Sequence, residues 1–180
     1  RILEDELDQA LFAARRAVEL DETSPPSWAQ LGAVHLAKIR ARRERGERPS
    51  KLLFSLALGS FDKVNETKGG NHPRAILEKG RVYWFAGQRE NARKEFSKAI
   101  RLVREQGPPS EVRFVYATIV DYALRADEPA LLRFMLRLSV TDFPEDFGAW
   151  EALGNAYDAF PGHSGEEIFL ELIGTFPDDA

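Results

Sequence analysis

The feature that most constrains this chain is a spacing. Trp150, Leu153, Gly154 and Tyr157 stand at offsets of zero, three, four and seven. Those offsets put all four residues on one face of an α-helix, since positions three and four apart are neighbours on its surface. The same spacing returns at Trp28, Leu31, Gly32 and His35, and again at Ile76, Lys79, Gly80 and Tyr83. A glycine inside a helix costs roughly 1 kcal/mol relative to alanine. Glycines kept at one register position in three segments are explained by helices that approach closely there.

A second face follows each such segment. Gly87 ends the helix that carries Ile76, and Ala92, Phe96 and Ala99 then recur at intervals of four and three. Pro108 and Pro109 stop that second helix. After Trp150 come Leu170, Ile173 and a closing Pro177, with Glu166 where the pattern wants alanine. Tyr116, Ile119, Val120 and Ala123, then Leu132, Leu136, Ser139 and Pro144, form a unit that lacks the glycine. Its register carries it, because Tyr116 precedes Trp150 by 34 residues. Ala10, Ala14 and Ala17 repeat a small-residue second face, broken by Ser24-Pro25-Pro26. Phe114–Val120 has the composition of a strand, but the helical register on both sides favours helix.

These features resemble the tetratricopeptide repeat, a helical hairpin of about 34 residues, with Lys79 in place of the usual leucine. The resemblance implies an all-α fold, a right-handed superhelical array (an α-solenoid) of helical hairpins with about nine helices. Each hairpin has an apolar face too large to bury alone, and stacking covers it. One repeat domain is expected over 1–180, in approximate units 1–24 (half a repeat), 25–72, 73–112, 113–146 and 147–180. The first helix of the half repeat would lie before Arg1.

One unit departs from the template. Trp28, Leu31, Gly32 and His35 are followed by Ala57, Phe61 and Val64 after an interval 13 residues too long. The extra chain, Arg40 to Lys51, holds one Gly/Pro break. Both helices are therefore expected to be extended, with a turn at Gly46–Pro49 and Ser50 or a neighbour capping the second helix. Arg40, Arg42, Arg43, Arg45, Arg48 and Lys51 make this the one basic cluster of note. Arg40–Glu44 and Arg43–Glu47 are spaced to pair at i,i+4. A solvated extension is the favoured reading, and a grip on an acidic partner or on phosphates is the alternative.

Composition and motifs offer little chemistry. The chain has no cysteine, which excludes disulfides, thiolate catalysis and cysteine-bound zinc. His35, His72 and His163 lie far apart and none belongs to a His-Glu-x-x-His motif. Gly162-His163-Ser164-Gly165 fails the spacing of a nucleophile elbow, and Ser164 reads better as an N-cap with Glu167 completing a capping box. Lys68-Gly69-Gly70-Asn71 reads as a helix stop, and Pro73 as a restart. No phosphate loop occurs, so no catalytic residue, cofactor or metal is expected. A net charge of −4 argues against a general nucleic-acid binder. The longest apolar stretches, Leu52–Leu58 and Phe114–Val120, fall short of the ~20 residues a membrane span needs.

The resemblance also implies a function, a scaffold or adaptor that holds a peptide or protein partner along its first helices without catalysis. The positions implied to face that groove are Arg74, Glu78, Arg81 and Trp84, then Phe114, Thr118, Asp121 and Arg125, then Glu151, Asn155 and Asp158. Trp84 and Phe114 would be aromatic anchors, and Arg74 and Arg81 charge-reading groups. Packing against a neighbouring helix is the competing role for Trp84. The Lys/Asn/Arg clamp by which some family members hold a terminal carboxylate is missing, since Ala29, Gln30 and Ala33 occupy its places. Asn155 alone matches one clamp position. Ile168, Phe169, Leu170, Leu172, Ile173 and Phe176 are dense for a final helix with no polar cap. A self-associating structural segment of a larger protein or complex is therefore the alternative reading, with more chain, a second copy or a partner covering that face.

Overall fold

A computed structural model of the chain describes residues 2–67, 70–125 and 129–158. The described residues are helices and short connections with no strand. The helices are α1 (Ile2–Leu20), α2 (Pro25–Glu44), α3 (Lys51–Thr67), α4 (Pro73–Phe85), α5 (Arg89–Gln106), α6 (Pro109–Arg125), α7 (Pro129–Asp142) and α8 (Phe147–Asp158). Phe114–Val120 is part of α6. The ninth helix expected after Gly162, with the Ser164 cap, the Glu166 departure and the apolar run to Phe176, lies outside the described residues.

The helices fall into two compact units, Arg1–Gln106 and Gly107–Ala180. In the first, α1 packs on α2, α2 pairs with α3, α3 packs on α4, α4 pairs with α5, and α2 also touches α4. First helices meeting first helices while each pairs with its own second helix is the hairpin stacking expected of tetratricopeptide-like repeats. In the second unit α6 pairs with α7, and α7 packs on α8. The α6–α7 hairpin begins at Pro109, four residues before the expected 113, because Pro109 suits the first turn of a helix and Val112 is already buried in α6.

The glycines show why the repeat has its register. A Cβ on Gly32 would lie 2.7 Å from the Phe61 ring, and one on Gly80 would lie 2.5 Å from the Phe96 ring. Each first-helix glycine thus makes room for the phenylalanine of its own hairpin's second helix. Phe61 and Phe96 are almost wholly buried as a result. Gly154 is buried as well.

The tryptophans carry a second repeat signature. Trp28 Nε1 donates to the Glu22 carbonyl at 2.7 Å, and Trp150 Nε1 donates to the Pro144 carbonyl at 2.9 Å. In each case the acceptor lies six residues upstream, in the turn that enters the first helix. The indole body fills the hairpin interior while its N–H closes the entry turn.

The connections behave as their residues require. Ser24 accepts a hydrogen bond from the Ser27 backbone N–H as the N-cap of α2, so Pro25 and Pro26 open that helix as well as ending the segment before it. Gly87, at φ +76, ends the α4 segment, and the Gln88 N–H bonds the Tyr83 carbonyl at 2.9 Å. Gly70 and Asn71 both take positive φ before Pro73 restarts the helix.

The insertion sits where the sequence places it. From the Trp28 and Ile76 positions, α2 runs seven residues further than α4 does. From Ala57 and Ala92, α3 begins three residues earlier than α5. The connecting turn is three residues longer, which completes the 13. Gly46 turns the chain at φ +74, and Ser50 Oγ accepts the Leu53 N–H at 3.2 Å as the cap of α3. No helix of the described residues is long and apolar enough to cross a membrane.

Candidate functional site

The first helices carry the residues expected to meet a partner. On α4, Arg74 is exposed, while Glu78, Arg81 and Trp84 are half-buried. Arg81 Nη1 donates to both carboxylate oxygens of Glu78, each at 3.0 Å. Burial pushes the Glu78 carboxyl upward, and the Arg81 charge and hydrogen bonds oppose it. The Arg81 charge is thus matched within its own helix. The Arg89 guanidinium at the start of α5 lies 5.5 Å from the Trp84 ring centroid, a cation–π distance. Trp84 serves packing at the α4–α5 turn as much as it faces outward.

On α6, Phe114 is 43% exposed. Its carbonyl accepts the Thr118 hydroxyl at 2.7 Å, which ties Thr118 to its own helix. Asp121 and Arg125 form an exposed i,i+4 ion pair at 2.9 Å, a contact worth little to stability and open to exchange with a partner. On α8, Glu151 and Asn155 are exposed, and the side chain of Asp158 lies outside the described residues. The structure therefore joins Glu78 to Arg81, Thr118 to Phe114, and Asp121 to Arg125.

The basic extension differs from expectation in one pairing. Arg40 binds Glu44 at 2.8 Å as expected. Arg43 does not pair with Glu47. Its Nη2 donates to the Phe85 carbonyl at 2.6 Å, closing the end of α4. Glu47 instead binds Arg45 at 2.7 Å, and Arg45 also reaches Glu4 on α1 at 2.8 Å. The reason is local, because α2 ends at Glu44 and the Gly46 turn takes Glu47 off the i,i+4 face.

Two further interactions escaped the sequence reading. The Arg113 guanidinium lies 3.9 Å from the Phe143 ring centroid and binds Glu145 at 2.7 Å and Asp146 at 2.8 Å. The Tyr116 hydroxyl bonds Asp142 at 2.5 Å. Both fasten α6 to the end of α7 and the turn after it. The separation of Arg113 from its acidic partners is about one repeat length, and that was the available signal.

Among the described residues no group of three or more His, Asp or Glu side chains is placed to hold a metal ion. His35 is packed inside α2 and His72 is half-buried at the start of α4, while His163 lies outside the described residues.

No family model matches the chain, and no curated protein matches it. Solved structures of similar shape include a human IFIT1 dimer with PPP-AAAA, at 17% identity and TM-score 0.49, covering 97% of this chain and 44% of that one. A monomeric IFIT1 mutant with Gppp-AAAA matches at 17% identity and TM-score 0.48, covering 94% of this chain. The chain spans less than half the length of these structures, 44% in each case. A likeness this distant transfers no ligand.

Proposed function

We propose that the chain is a protein-interaction scaffold that holds a peptide or protein partner along its first helices and performs no reaction of its own. The observation that carries this reading is the division of labour on α6. Val115, Tyr116, Ile119 and Ala123 are buried in the hairpin, while Phe114, Asp121 and Arg125 stay on the surface. An exposed aromatic two helical turns from an exchangeable ion pair on the same helix suits a partner anchor. The self-contained Glu78–Arg81 pair makes α4 the weaker half of the expected surface.

The test is reconstitution. A partner recovered with the wild-type chain is purified and titrated against it and against Phe114→Ala and Arg125→Glu. At least about tenfold weaker binding by both variants, with unchanged helical content, supports the scaffold. Equal binding by all three overturns the assignment to this face. A second reading, self-association, rests on Phe12 and Leu20 of α1, which are 70% and 81% exposed. Sedimentation at rising concentration, with Phe12→Ser and Leu20→Ser as the control, separates it from the first.

A further inference from the structure

The 13-residue insertion supplies part of a groove, with side chains that the regular α4–α5 hairpin lacks. Its walls are Leu11 and Arg15 of α1, Lys38 and Arg42 of α2, and Leu52 and Leu56 of α3. Lys38 and Arg42 belong to the added turns of α2, and Leu52 to the added turn of α3. We propose that this groove is a docking site for an acidic peptide segment that carries leucine or phenylalanine.

Charge complementarity selects the occupant. Lys38, Arg42 and Arg15 line the groove and no carboxylate does. Asp8 binds Lys38 from the adjoining side, where Glu4 and Arg45 also lie. The chain as a whole is acidic, so a local basic lining stands out against its surroundings and draws an anionic segment.

Apolar exposure fixes the rest. Leu52 is 66% and Leu56 39% exposed, a costly placement for two leucines at the mouth of one cleft. The cleft holds about 170 Å³, below the roughly 300–1,000 Å³ of small-molecule sites. It fits one bulky side chain with its carboxylate neighbours reaching Arg15 and Arg42. His35 forms part of the floor, is 2% exposed and leaves its Nδ1 without a hydrogen-bond partner. This site shares no residue with the first-helix face proposed above, so either proposal can fail alone.

The probe is a set of short fluorescein-labelled peptides that combine Asp or Glu with Leu or Phe at helical spacing. Matched sets carry Lys for the acids or Ser for the apolar residues. Fluorescence anisotropy is measured on the full chain, on Arg42→Glu, on Leu56→Asp and on Phe114→Ala, with circular dichroism confirming that each is folded. Members of the acidic, apolar set should bind, weaken with added salt, and lose about tenfold or more in affinity on Arg42→Glu and on Leu56→Asp. Phe114→Ala should bind as wild type does. No binding by any acidic peptide, or binding indifferent to both groove variants, overturns the proposal. So does preferential binding of a single-stranded RNA oligonucleotide that Arg42→Glu abolishes and Leu56→Asp leaves intact.

Discussion

Gly80 and Gly59 are both helical glycines, and their surroundings predict opposite responses to one methyl group. A Cβ on Gly80 would lie 2.5 Å from Phe96, whereas one on Gly59 would meet nothing within 4 Å. Overpacking a filled interior costs about 1–3 kcal/mol, and replacing a helical glycine by alanine returns about 1 kcal/mol. Gly80→Ala should therefore destabilise the chain and Gly59→Ala should stabilise it by about 1 kcal/mol. Urea unfolding midpoints decide the matter, and shifts of the same sign would remove close approach as the reason for the glycine. His35 supplies a second prediction at this scale. Burial, reinforced by the charges of Arg15 and Lys38, lowers its pKa to about 4, against about 6.5 in an unfolded chain. The folded chain then binds fewer protons than the unfolded one between those values. Stability falls as pH drops from 6.5 to 4, by at most about 3 kcal/mol from this group. His35→Phe should abolish that part of the slope, read as the difference between variant and wild type so that titrating carboxylates cancel.

Among the elements, Lys79 explains its own departure from the repeat pattern. Its ammonium binds Asp62 of α3 at 2.7 Å and Glu95 of α5 at 3.4 Å, so one α4 side chain links two hairpins. Burial works against the charge, but the Asp62 hydrogen bond and the Glu95 and Asp62 charges outweigh it and raise the Lys79 pKa. Lys79→Met and Glu95→Gln should each destabilise, with a coupling of about 1 kcal/mol in a double-mutant cycle. Additive effects would show that the contact does not act as a unit. The sequence announced the hairpins because glycine, tryptophan and the small-residue face repeat at fixed spacing. It was mute about Lys79, since both partners come from other helices and no local pattern names them. The insertion was legible in length, turn and cap. Its groove was not, because Leu11 and Arg15 reach it from α1, far away along the chain. The expected Arg43–Glu47 pair failed for the same reason in reverse, a local rule applied past the end of its helix.

At the scale of the whole molecule, the expected single domain over 1–180 is built as two compact units, with the boundary after Gln106. Each unit has its own core. In the first, Leu36, Ile39, Ala57, Phe61 and Val64 pack with Ala75 and Val82. In the second, Leu132, Leu136 and Val140 pack with Trp150 and Leu153. A chain of repeats spends its interior on its neighbours and leaves its outer faces for recognition, and the two docking surfaces proposed above, the Phe114 face and the insertion groove, use outer faces of that kind. Trp150, the one tryptophan from 107 to 180, is 5% exposed with its indole N–H fixed on a backbone carbonyl. A chain with Trp28 and Trp84 changed to phenylalanine would therefore carry a single tryptophan, which red-edge excitation picks out from the tyrosines. The red shift of its emission would report melting in the second unit alone, with no dye attached.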